Sequence, residues 1–188
     1  KLLEKHGGKY TLKTVTGGLR AIHLDGAPFM TPVPEMFDWD LRIRNMNRVG
    51  IDVSVVSLTC PNVYWGGEKV SLKAAQVMND EMAQARKTWP DRIQWFCSLP
   101  WQFDKAALAE LKRSLKAGAC GVMVLANIGG KALTDPAFAK IWKAIDDAKR
   151  DTPHQNVEVW HYTEANLVEP FLKGGQCLAN DILPRTSI

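Results

Sequence analysis

No stretch of this chain is apolar for the roughly 20 residues that a membrane-spanning helix needs, which excludes a helical membrane protein from the reading. The four cysteines (Cys60, Cys97, Cys120 and Cys177) include no CxxC pair. That spacing argues against a zinc ribbon or a disulfide framework. The Lys and Arg residues are scattered among Asp and Glu, so a net charge of +4 gathers into no basic stripe and no nucleic-acid surface is expected. Internal repeats and low-complexity segments are absent. No signal peptide is visible, and the sequence opens on Lys1 instead of Met. Cys97 and Cys120 fall in or just before apolar runs, the pattern of buried reduced thiols, and the expected compartment is the cytoplasm.

What is present is ordinary globular material: 188 residues, 46% hydrophobic and 23% charged, enough for one core. Three apolar runs, residues 51–58, 93–99 and 121–126, have the short β-branched character of strands buried on both faces. Helical patterns separate them, so the expected fold class is α/β, a parallel sheet with crossover helices. Ser71 is read as the cap of the longest helix. Its stripe runs through Ala74, Ala75, Met78, Met82, Ala85 and Trp89, and Pro90 ends it. Asp104 caps a helix carrying Leu108, Leu111 and Leu115. Asp135-Pro136 opens another, with Phe138, Ile141, Trp142, Ile145 and Ala148 inward.

Upstream, Leu2, Leu3 and His6 read as a helix tail stopped by Gly7-Gly8. Residues 10–29 read as a β-hairpin turning at Gly17-Gly18 and Asp25-Gly26, with His23 on its surface. Residues 29–34 are proline-rich loop. Asp38 or Asp40 caps a helix through Leu41, Met46 and Val49, closed by Gly50, with Arg42 and Arg44 on its solvated side. Downstream, residues 157–160 read as a short fourth strand of this series, with His161 following it. Residues 1–150 are taken as one domain and 151–188 as a divergent tail. In βα architectures ligands sit at the carboxyl ends of strands. This selects Thr59, Asn62, Tyr64 and Trp65 after the first run, Trp101 and Gln102 after the second, and Asn127 after the third. Packing of Trp65 and Trp101 over the rim is the alternative. Cys60 has no histidine near it in sequence to activate it as a nucleophile.

An ordered series of segments carries more. It comprises Arg42-Ile-Arg-Asn-Met46, Gly50-Ile-Asp-Val53, Ser57-Leu-Thr59 with Pro61-Asn-Val-Tyr-Trp65, Met78-Asn-Asp-Glu81, Trp89-Pro-Asp-Arg92, Ser98-Leu-Pro-Trp-Gln102 and Gly118-Ala-Cys-Gly-Val122. Together they resemble the amidohydrolase-2 family, a group of metal-dependent TIM barrels that includes decarboxylases of aromatic and muconate-type acids. The resemblance implies a partial TIM (β/α)8 barrel, here with an N-terminal β-hairpin insertion. It implies a divalent metal, usually zinc, that orients and polarises a substrate or activates water. It also implies a small carboxylic acid as substrate, losing CO2; related members hydrolyse lactones or amides. Aromatic residues at the mouth, Tyr64, Trp65 and Trp101, would stack on a planar acid. The amides of Asn62, Gln102 and Asn127 would hold its carboxylate, with Thr59 at the same mouth.

The family's metal ligands are an HxH pair after the first strand, histidines after the fifth and sixth, and an aspartate after the eighth. This sequence has no HxH. Of its four histidines (His6, His23, His154 and His161), only His161 follows a plausible fifth strand, with Tyr162 where the family has proline. The expectation is therefore a fragment of such an enzyme, short at the front and divergent or out of frame at the end. The competing expectation is a non-catalytic half-barrel that self-associates through unpaired sheet edges.

Overall fold

A computed structural model describes residues 2–151 and 158–162, with side chains described through Ala148 apart from Thr16. After helix α1 (Leu2–His6), strands β1 (Tyr10–Thr14), β2 (Arg20–Leu24) and β3 (Ala27–Met30) form an antiparallel sheet in that order. Asp25 and Gly26 join β2 to β3 with φ of 48° and 85°, the left-handed pair that a two-residue hairpin turn requires and that Asp and Gly tolerate best. The Tyr10 ring meets Phe29 edge-on at 5.7 Å. His23 is not a surface residue. It is 8% exposed, and its Nδ1 lies 3.2 Å from the Gly26 carbonyl oxygen. The reason is position: β2 is the middle strand, and Ala21, Ile22 and His23 are all buried, so alternation does not decide exposure there.

Helix α2 (Trp39–Val49) starts where Asp38 accepts a hydrogen bond from the Leu41 amide at 2.8 Å, and it stops at Gly50, whose φ is 73°. Its buried contacts come from Trp39, Ile43 and Met46. Val49, expected on that face, is 62% exposed. Arg42 is only half solvated: it donates to the Glu35 carbonyl at 3.1 Å and its guanidinium lies over the Trp39 ring.

The second sheet is parallel and follows chain order: β4 (Ser54–Val56), β5 (Ile93–Ser98), β6 (Gly121–Leu125) and, beyond the small hairpin β7 (Asn127–Ile128) and β8 (Lys131–Ala132), β9 (Glu158–Tyr162). Helices α3 (Glu68–Thr88), α4 (Asp104–Lys116) and α5 (Ala139–Asp151) supply the crossovers. The α/β class read from periodicity is the class observed. Ile93, Trp95, Cys97 and Leu99 alternate along β5 onto the helix side, meeting Val122 and Val124 of β6, Met82 of α3, Leu111 of α4 and Ile141 and Ile145 of α5. All are buried, and full burial of such a side chain contributes about 1.5–3 kcal/mol. Among the described residues the sheet stays open, with β4 at one edge and β9 at the other.

Three expectations change here. The first apolar run is a strand only over Ser54–Val56, and Ile51, Val53 and Val55 are 46%, 48% and 49% exposed. Arg92 explains the late start, because its side chain donates to the Ile51 and Asp52 carbonyls at 2.9 and 2.6 Å. The edge position explains the exposure. Ser71 does not cap α3, which begins at Glu68 with Gly67 as its cap; the buried Ser71 hydroxyl donates back to the Gly66 carbonyl at 2.9 Å. The fourth strand exists, and His161 lies within it and not after it. The rest of the 151–188 tail, with His154 and Cys177, falls outside the described residues.

Candidate binding site at the strand ends

The β4–β5 ladder ends at the pair Val56 and Trp95. Three residues later the backbone of Ser98 faces the space that β4 has left, and its N–H and C=O need partners. Asn79 of α3 provides both. Its Oδ1 accepts from the Ser98 amide at 2.9 Å, and its Nδ2 donates to the Ser98 carbonyl at 2.9 Å. One side-chain amide thus replaces a neighbouring strand. The same Nδ2 donates to Glu110 Oε1 at 2.7 Å, and the Ser114 hydroxyl lies 3.2 Å from each.

Asn79, Glu110 and Ser114 have essentially no exposed surface. A buried carboxylate is costly unless paired. Arg113 pairs it, with Nε and Nη2 each 2.8 Å from a Glu110 oxygen while Nη1 reaches Asp80. These bonds hold the Arg113 guanidinium more strongly protonated than usual. Helical periodicity alone does not reveal this network. Asn79 and Glu110 each sit beside an apolar stripe position, and a polar residue inside a buried stripe is the signal that could have found them.

Beside the network, burial pushes the Cys97 thiol up to about 12, and the Glu110 charge adds to the effect. Cys97 is therefore a protonated packing residue, not a nucleophile.

The loop after β4 is tied by its own polar groups. Asn62, in the left-handed region at φ 49°, donates from Nδ2 to the Leu58 carbonyl at 2.9 Å and accepts the Val63 amide at 2.9 Å. The Trp65 indole donates to the Asn62 carbonyl at 2.7 Å. A Cβ on Gly66 would come within 2.8 Å of the Val70 side chain, so glycine is required there. Asn62 is buried, while Thr59, Tyr64 and Trp65 are half-buried. The Tyr64 hydroxyl is buried beside the Leu125 backbone, at the carboxyl end of β6, and lacks a well-formed hydrogen bond. Burial raises its pKa, so the phenol stays protonated.

Trp101 is 1% exposed and packs against Phe138 (5.9 Å, edge-on) and Trp142 (4.8 Å). Its ring belongs to the core and offers no open face for stacking. Gln102 faces a cavity of about 380 Å³ lined also by Glu68, Phe103, Asp104, Lys105 and Ala137. Asn127 is exposed, and its Oδ1 accepts from Gly130 across the β7–β8 turn at 3.3 Å. The structure thus gathers Thr59, Asn62, Tyr64 and Trp65 in one loop, with Trp101 and Asn127 elsewhere on packing and turn duties. His161 is in register with Val124, a residue of the helix-side core; its own side chain is outside the described residues. A hollow of about 450 Å³ at the opposite, amino end of the strands is lined by Asn47, Gly50, Ile51, Asp52, Asp91 and Arg92. Its arginine is already engaged by backbone carbonyls. Among the described residues no three His, Cys, Asp or Glu side chains converge as metal ligands would.

No protein-family model matches the chain. In sequence it is 34% identical over 126 residues to the 2-amino-3-carboxymuconate-6-semialdehyde decarboxylase of Dictyostelium discoideum, covering 65% of this chain and 35% of that protein. It is 26% identical over 150 residues to the Caenorhabditis elegans protein of the same name, covering 68% and 37%. The chain therefore spans about a third of the length of the curated relatives it matches. In structure it is similar to an amidohydrolase II (TM-score 0.63, 21% identity, 99% of this chain and 48% of that one). It is also similar to a manganese-bound 5-carboxyvanillate decarboxylase from Novosphingobium aromaticivorans (TM-score 0.59, 22% identity, 74% and 39%). At those identities the likeness shows the fold.

Proposed function

Since this is an amidohydrolase-like chain of the 2-amino-3-carboxymuconate-6-semialdehyde decarboxylase type, we propose that it serves metal-dependent removal of CO2 from an aromatic or muconate-type carboxylic acid. The 34% identity to a decarboxylase carries the reading. In this reading the four parallel strands are part of a (β/α)8 barrel, and the loops after β4, β5 and β6 form one side of its mouth. The chain's own contribution is positional: the Asn79–Glu110 network fixes the end of β5, and the 59–66 loop holds Tyr64 and Trp65 above it. A divalent metal would supply the electrophile. The described residues do not fit that group, since a catalytic site needs about three protein ligands and they present no such cluster.

The test is CO2 release from 2,6-dihydroxybenzoate by the purified chain with manganese or zinc added. The expected result is release that chelator abolishes, and no release at stoichiometric metal would sink the proposal. Adding His161→Ala tests the ligand assignment. Lost metal binding makes His161 a ligand. Unchanged binding puts the ligands elsewhere.

One observation favours a second reading, a scaffold that self-associates. Val55 of the edge strand β4 is exposed, as are Ile51 and Val53 just before it, and such edges recruit other strands. Sedimentation should then show a dimer that Val55→Lys converts to monomer. A wild-type monomer would end this reading.

A further inference from the structure

Six buried side-chain polar atoms among the described residues make no well-formed hydrogen bond, and four of them (on Tyr64, Ser98, Trp101 and Gln102) stand at or just past the carboxyl ends of β4 and β5. An unpartnered buried polar group costs about 1–3 kcal/mol, so such a concentration at one end of a sheet calls for a reason. Ser98 is the sharpest instance. Its backbone is clamped on both sides by Asn79, its side chain has no exposed surface, and its hydroxyl bonds to nothing. Cys97 and Leu99 point to the helix side, so Ser98 points to the other face of the sheet. It is in register with Met123, and Leu125 is the next residue along that face of β6. Strand spacings put the Ser98 and Leu125 Cα atoms about 8 Å apart, and the Tyr64 hydroxyl lies beside Leu125.

We propose that the Ser98 and Tyr64 hydroxyls are a donor pair that binds the carboxylate of the acid. Each oxygen of a carboxylate accepts a hydrogen bond of about 2.7 Å, so a single carboxylate can take one donor from each of two hydroxyls on neighbouring strand ends. Both hydroxyls donate at neutral pH, and the Asn79 clamp on the Ser98 backbone fixes one of the two donors, as a binding group requires. Neither is open to solvent, so the acid enters as the loop carrying Tyr64 gives way. The choice of an aromatic acid rests on the function proposed above; the donor pair rests on the geometry.

The experiment is a titration with 2,6-dihydroxybenzoate in chelator-treated buffer, followed by tryptophan fluorescence, on the wild type, Ser98→Ala and Tyr64→Phe, with thermal melts on the same samples. Saturable binding by the wild type is expected. Each variant should raise Kd about tenfold, the usual effect of losing a hydrogen bond to a charged group, while Tm stays level or rises because an unpartnered hydroxyl has gone. The pair is overturned by absent saturation, by either variant binding within twofold of the wild type, or by a fall in Tm, which would give the hydroxyl a structural partner. CO2 release separates the two proposals. Retained release with no binding effect removes the hydroxyl pair alone. Weakened binding in the variants with no release from the wild type removes the decarboxylase reading alone.

Discussion

Replacing Asn79 by alanine should lower stability by about 3–5 kcal/mol, the range for breaking a buried polar network around a charge. The substitution removes few apolar contacts. What it strands is the N–H and C=O of Ser98, both bonded only to this side chain in that direction, together with one hydrogen bond to the fully buried Glu110 carboxylate. No strand stands ready to replace it, because β4 has already ended at Val56. For a chain of this length the loss corresponds to a Tm lower by about 10 °C, measurable by circular dichroism. Asn79→Asp should be as harmful, since it sets a second acid against Glu110 and deletes the donor. A Tm within 2–3 °C of the wild type (less than about 1 kcal/mol) would show that water or a shifted backbone replaces the amide.

Trp101→Ala should cost a similar about 3–5 kcal/mol, as large-to-small changes of buried aromatics do. The indole fills the space between the end of β5 and the start of α5, in contact with Phe138 and Trp142. Its Nε1 has no partner, so the loss is one of packing. Trp101→Phe should therefore recover most of the stability. If Trp101 served mainly to stack on a substrate, alanine would leave Tm nearly unchanged and abolish binding. Urea melts and the fluorescence titration on the same variant separate the two roles.

The parts of the fold that were legible in the sequence are those written in neighbouring residues. Asp38 and Asp135 cap the turns that follow them, Gly50 closes α2 at positive φ, and the nearly continuous apolar runs at 93–98 and 121–125 became the two inner strands of the parallel sheet. Misplaced features depended on what lay across the fold. Val55 looks like a core residue by type, but it lies on β4, an edge strand of the sheet among the described residues. His23 looks like a surface residue by alternation, but β2 is a middle strand. Of the candidate site, the 59–66 loop was legible because its odd residues cluster in sequence. Asn79, Glu110 and Ser98 were not, because their meaning comes from one another, on three different elements.

The order of the parallel sheet also bears on how the chain is made. From β4 to β6 each strand pairs with the next parallel strand along the chain, and β9 then joins β6. A ribosome delivering roughly 5–20 residues per second would release them in the order in which they dock, several seconds apart. Each new strand and its crossover helix could settle on the edge just completed. That edge would be both template and hazard: until the next strand arrives, it is open to any other nascent chain nearby.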